Sequence, residues 1–333
     1  MTSKAFFSHR KPVQFSKTEA PRLMVVVDTE EEFDWSNPPD PNQKSVNSMA
    51  HIDRVQSICR NYGIRPCYVI DYPVASQKIG YESLARYAAA GECEIGAHLH
   101  PWVNPPVRED ITVRNMYPGN LDIELERAKL LKLRNTIESL TGQKPRVYKA
   151  GRYGFGPNTA NLLAELGFTV DVSVSPPIDH SRDGGPDHSW ANSKPFWFGR
   201  ELLEVPTTGA FVGWAHPLGR TLFSAAQRLR RFKAPGVLAR LSAVDRLMLS
   251  PEGFTSEEHI RLTRFLINQG VRTFTWSFHS PSVEPGHTDY VKTEADLERF
   301  LASFKTYFDF FFNELGGVPT SPLQLRSYLE TVQ

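Results

Sequence analysis

Asp28 and Glu30 follow the apolar run Val25-Val26-Val27, and in an extended chain residues two apart project to one side while Thr29 projects to the other. Two carboxylates so arranged can divide labour: one ligates a divalent cation, the other accepts a proton from water. Glu31, Glu32 and Asp34 read instead as a solvated acidic loop beyond the strand. His98 and His100 repeat the spacing after Ile95-Gly96-Ala97, and imidazoles beside a carboxylate are a common divalent-metal set. Alone, His-x-His is a weak motif; a carboxylate pair at another strand end strengthens it. Arg152, after Gly151, can clamp the Asp28 carboxylate or make an ordinary ion pair. His279, after Trp276-Ser277-Phe278, can donate a proton to a leaving group or be a satisfied core histidine. Asp71, Trp102 and Tyr153 are candidate substrate contacts, and Asp71 and Trp102 would serve equally well in a core. His188 and His216 are further residues within reach of a substrate. The inventory suits metal-assisted hydrolysis.

Residues so far apart converge only if the chain gathers its strand ends. In a parallel α/β architecture the carboxyl ends of the strands share one face. Apolar runs predict strands at 23–27, 66–70, 93–97, 146–150, 168–174, 201–205 and 272–278. Helical patterns alternate with them at 49–61, 81–90, 121–140 and 158–166, and a last helix near 294–315 carries Phe300, Phe304, Phe308, Phe311 and Phe312 as a core stripe. The economical reading is a β/α wheel of about seven strands. Residues 1–20 form a polar extension, 21–320 one domain and 321–333 a tail. Two stretches interrupt the alternation: a Pro-, Gly-, Asp- and His-rich stretch at 176–200, read as a long functional loop or a lid, and a helical insertion at 216–250 carrying Arg220, Arg228, Arg230, Arg231, Lys233 and Arg240.

The chain has 333 residues, 40% of them hydrophobic, enough for a large core. A formal charge of +1 provides no global field for nucleic acid or an anionic membrane, so any anion recognition must be local. The cationic insertion makes a nucleotide-linked or lipid-phosphate-linked substrate one such case, with a solvated helix face as the alternative. The first twelve residues lack the apolar centre of a secretory signal, and no run is long enough for a transmembrane segment, which predicts a cytoplasmic protein. Three cysteines, Cys59, Cys67 and Cys93, do not form a disulfide framework. Oligomeric state is not legible.

The order of these features, above all Leu140-Thr141-Gly142-Gln143-Lys144-Pro145 through Arg152-Tyr153, then Gly167-Phe168 and Asp171-Val172-Ser173-Val174, resembles the polysaccharide deacetylase superfamily. This is also called the NodB-homology or carbohydrate esterase family four group, and the likeness is nearest its WalW-type lipopolysaccharide biosynthesis branch. The resemblance, over roughly residues 22–312, implies a distorted seven-stranded (β/α) barrel that removes an acyl group, N-acetyl first, from a carbohydrate with a divalent metal. Zinc is the first choice of metal, with cobalt, nickel or manganese as alternatives. It implies Asp28 as general base, Glu30 and His98 as metal ligands, Arg152 as the brace of the base and His279 as general acid. The sequence departs from the family twice. Asp28-Thr29-Glu30 stands for an adjacent Asp-Asp pair, and His98-Leu99-His100 for His-x-x-x-His, with Trp102 where the second histidine belongs. His100 then becomes the third ligand if its loop turns inward. A sugar-binding protein that has lost its metal, and a related metal amidase acting on a small amide, remain open alternatives.

Overall fold

The computed structural model describes residues 3–33, 37, 39–229, 231, 236 and 240–332; Asp34, Arg230 and Lys233 lie outside the described residues. The strands are β1 (Lys11–Pro12), β2 (Arg22–Thr29), β3 (Cys67–Ile70), β4 (Glu94–Leu99), β5 (Val147–Ala150) and β6 (Val170–Asp171), then β7 (Phe196–Phe198), β8 (Leu202–Glu204), β9 (Gly209–Val212), β10 (Asp245–Met248), β11 (Thr273–His279) and β12 (Val318–Pro319). One sheet runs β1-β7-β8-β6-β5-β4-β3-β2-β11, with β12 paired to the start of β2. From β8 to β11 every neighbour is parallel, which gives the seven-stranded β/α wheel. The chain is a mixed α/β fold, a curled and largely parallel sheet covered by helices.

The sheet is strongly curled. In a flat sheet β2 and β5 would stand about 14 Å apart, three strand spacings, yet the Lys149 ammonium on β5 reaches the Asp28 carboxylate on β2 at 2.5 Å. The curl stops short of a closed barrel. Among the described residues β8 and β11 do not pair; residues 206–208 cross the seam, with the Thr275 amide donating to Thr208 Oγ1 at 2.8 Å and Thr275 Oγ1 to the Pro206 carbonyl at 3.1 Å.

Period-two alternation sorts the strand residues. Leu23, Val25 and Val27 pack outward against the helices, while Met24 and Val26 point inward with Cys67, Val69, Val147 and Val170. Asp28 continues that inward row at the carboxyl end. The covering helices are α1 (Asp53–Asn61), α2 (Tyr72–Ser76), α3 (Lys78–Ala89), α4 (Ile123–Thr141), α5 (Thr159–Leu166), α6 (Gly219–Arg228), α7 (Ser256–Asn268), α8 (Glu294–Asp309) and α9 (Pro322–Val332). On α8, Phe300 and Phe304 pack edge-on against Phe278, and Tyr307 stacks on Trp276 of β11.

Three segments differ from the sequence reading. Residues 321–333 contain α9, whose Leu325 and Leu329 join the inward cluster of Met24 and Val26 at the amino end of the barrel. The 168–174 run pairs only over Val170–Asp171, because Ser173 turns its hydroxyl to Asp171 and accepts the Ala150 amide. The 216–250 insertion is helical only in part: it ends in β10, antiparallel to β9 with Asp245 opposite Val212.

Candidate metal and catalytic centre

Register assembles the site. Asp28 lies beside His279 where β2 meets β11, and His98 beside Lys149 where β4 meets β5. With Glu30 and His100 just beyond their strands, these residues and Ala150, Tyr117, Arg152, Tyr153 and His180 line one cavity of about 160 Å³. The Nε2 atoms of His98 and His100 stand 3.3 and 3.4 Å from the same Glu30 oxygen.

Each imidazole is held from behind. His98 Nδ1 lies 3.1 Å from the Lys149 carbonyl, an acceptor only, so Nδ1 carries the hydrogen and Nε2 presents its lone pair. His100 Nδ1 donates to Glu31 at 2.9 Å, the Trp102 indole donates to the other Glu31 oxygen at 2.9 Å, and the His100 and Trp102 rings stack at 4.3 Å. His100 Nε2 is therefore buried with no hydrogen bond. Two such nitrogens facing a buried carboxylate, each oriented through its far nitrogen, fit a divalent cation. Gly151 permits the crowding: a Cβ there would sit 2.3 Å from the Leu99 carbonyl oxygen and 2.8 Å from His100 Cδ2.

The reading of Glu31 as a solvated loop residue is overturned. It is fully buried, its amide donates to Asp71 at 2.8 Å, and burial pushes its carboxyl up to about 7. Asp71, also pushed up by burial and by Glu31, caps α2 by accepting the Val74 amide at 2.8 Å. Asp71 and Trp102 thus lie behind His100 rather than on the cavity wall, and are not placed as substrate contacts. Tyr153 does line the cavity.

The brace of Asp28 also changes. Lys149 donates to both carboxylate oxygens, at 2.5 and 2.7 Å, whereas Arg152 lies over the Tyr117 ring, near Met116 Sδ and 3.8 Å from Asp183. The cause is backbone: Arg152 and Tyr153 are successive non-glycine residues at φ 52° and 59°, and this left-handed exit from β5 accompanies an Arg152 side chain on the loop side and Tyr153 in the cavity wall. Burial would raise the Asp28 carboxyl, but the charges of Lys149 and His279 and the Lys149 hydrogen bonds hold it below its ordinary value.

His279 is gripped by a residue the sequence reading passed over. Glu252 accepts from His279 Nδ1 at 2.7 Å and from its amide at 3.1 Å, while Nε2 faces Asp28 at 3.8 Å. Against burial, which opposes charge, Glu252, Glu30 and Asp28 push the imidazole up to about 10. From the 176–200 loop it is His180 that reaches the cavity, stacked on Tyr153 at 5.4 Å and driven down to about 4 by burial and by Arg152. His188 is buried behind it, taking the Ser175 amide, and His216 packs on Phe265; neither lines the cavity. Lys149 had one signal in sequence, a lysine inside a four-residue buried strand. His180 had only its place in the His-rich 176–200 loop, and Glu252 had none.

No family model and no curated protein matches the chain. Several solved structures resemble it over nearly its whole length, among them two at a TM-score above 0.5. One is a Mycobacterium smegmatis protein described as a candidate polysaccharide deacetylase, with a TM-score of 0.54 and 16% identity, covering 96% of this chain and 95% of that one. The other is Puue allantoinase, also at a TM-score of 0.54, with 14% identity, covering 94% of this chain and 91% of that one. At such identities the likeness is one of fold.

Proposed function

We propose that this chain, on the polysaccharide deacetylase fold, is a metal-dependent hydrolase that removes an acyl group, N-acetyl first, from the amine of a sugar. The observation that carries the reading is the pair of imidazoles, each hydrogen-bonded at Nδ1, that turn Nε2 toward one Glu30 oxygen beside Asp28 and His279. Glu30, His98 and His100 would hold the cation. When bound, a divalent metal polarises an acyl oxygen and acidifies water.

The chain's own groups supply the proton traffic. Asp28, kept ionised and oriented by Lys149, accepts a proton from the attacking water. His279 enters protonated, because Glu252 and the two site carboxylates favour its charged form, and delivers its Nε2 proton to the departing amine. Tyr153, Tyr117 and neutral His180 wall the cavity and limit the water that can enter.

The cavity, about 160 Å³, is smaller than the roughly 300 Å³ and upward usual for ligand pockets. It suits an acyl group and its amide, with the rest of a larger substrate lying outside it. That size also favours a second reading, hydrolysis of a small linear or cyclic amide. A phosphate-linked sugar precursor of surface polysaccharide remains one form of the first reading.

The test begins with metal content on protein purified without chelator. About one equivalent per chain is expected, lost in His98→Ala and in Glu30→Ala. Acetate release from N-acetylated amino sugars would then support deacetylation, and turnover of small amides alone would favour the second reading. Failure to bind zinc, cobalt, nickel or manganese would leave a sugar-binding protein.

A further inference from the structure

Away from the cavity, one surface combines features that soluble proteins usually keep apart. Trp214, Leu218 and Leu241 are 76, 62 and 64% exposed, more than any other large hydrophobic side chain among the described residues. They are held together: the Trp214 amide donates to the Ser242 carbonyl at 3.1 Å, its indole to the Leu241 carbonyl at 3.3 Å, and the Leu218 amide to the Ala215 carbonyl at 3.0 Å. Leu229, half exposed, follows at the end of α6.

The charge of the same stretch has one sign. From Val205 to Val244 the sequence contains no Asp or Glu, while Arg220, Arg228, Arg231 and Arg240 are exposed cations within it. The whole chain is nearly neutral, so this is a local field. Exposed leucines and a tryptophan in a stretch whose only charges are cationic are the makings of an interfacial surface. The apolar groups enter the boundary between headgroups and acyl chains, tryptophan prefers that depth, and the guanidinium groups stay with the phosphates. No helix among the described residues is long and apolar enough to cross a membrane, so attachment would be peripheral.

We propose that the Trp214–Leu241 surface docks the protein on an anionic lipid bilayer. Docking is linked to the cavity by Arg220, which pairs at 3.1 Å with Asp187, in the loop that supplies His180. The proposal does not depend on the hydrolase reading, because none of the docking residues lines the cavity.

The full chain is spun with vesicles of pure phosphatidylcholine and with vesicles in which about a third of the lipid is phosphatidylserine. Pelleting with the anionic vesicles only, weakening as salt rises, is expected. Trp214→Ala with Leu241→Ser, and separately Arg228→Glu with Arg240→Glu, should each weaken it at least about tenfold, as expected of losing interfacial apolar and cationic contacts. Unchanged melting midpoints would show that both variants are folded. No pelleting, equal pelleting with neutral vesicles, binding indifferent to both variants, or a concentration-dependent dimer lost in Trp214→Ala without lipid binding would each overturn the proposal.

Discussion

Lys149 is the residue whose removal should hurt most per atom lost. It and Asp28 are a buried pair, and deleting one partner of such a pair leaves an uncompensated charge at a cost of roughly 3–5 kcal/mol. Lys149→Met is therefore expected to lower the urea midpoint sharply, and Asp28→Asn in the same chain to recover much of the loss. Stability equal to wild type in the single variant would show that Asp28 needs no brace. Gly151→Ala tests the other side of the cavity. Its methyl group would meet the Leu99 carbonyl and His100, so the imidazole must shift; metal affinity should drop about 10- to 100-fold, the effect typical of disturbing a ligand's support. Titration with zinc measures it directly.

Much of this centre was legible because strand periodicity is simple. Two-residue spacing puts Asp28 with Glu30 and His98 with His100 on common sides, and all four line the cavity to which parallel register brings His279. Arg152 illustrates what periodicity cannot carry. Its direction depends on a left-handed turn at two non-glycine residues, and Lys149, still inside the strand, faces inward in its stead. Glu31 was misread because acidic clusters after strands are usually solvated. Its burial depends on Trp102 and His100, about seventy residues away in sequence, closing over it.

Among the elements, α9 shows how a segment with little sequence signal can be integral. Leu325 and Leu329 fill the barrel's amino end, and Arg326 donates to the Thr169 and Glu201 carbonyls at 2.8 and 2.7 Å. Leu325→Ala should cost about 2–5 kcal/mol, the range for emptying a buried leucine site, and a melting curve unchanged by it would make α9 a mere appendage. The α4–α5 contact gives a pH signature. Glu126 of α4 is buried, with Thr159 of α5 as hydrogen-bond partner, and burial pushes its carboxyl up to about 7 from 4.5. Below pH 4.5 folded and unfolded chains both hold the proton; between there and 7 the unfolded chain releases it first, so stability falls as pH rises. Glu126→Gln has no proton to release. It should match wild type near pH 4.5 and exceed it above 7 by on the order of 3 kcal/mol, read from urea midpoints across that range.

At the scale of the molecule, a cation held as proposed by Glu30, His98 and His100, at the carboxyl ends of β2 and β4, would link distant parts of the chain. At a thousandfold excess over its dissociation constant it would add about 4 kcal/mol to folding, so zinc should raise the melting midpoint of the wild type but not of Glu30→Ala. The seam between β8 and β11 has a different implication. Residues 206–208 cross it and lead into the hairpin of β9 and β10, and the segment proposed to dock leaves from Val212 and returns at Asp245, two residues directly opposite each other in the register. A stretch that starts and finishes at the same rung behaves as a cassette. It can be lengthened, exchanged or replaced by a two-residue Asn-Gly turn without re-registering any of the seven parallel strands. If that segment docks the chain on a bilayer, as proposed, the place of work could be revised by exchanging the cassette, with the Arg220–Asp187 pair as its contact to the loop that supplies His180.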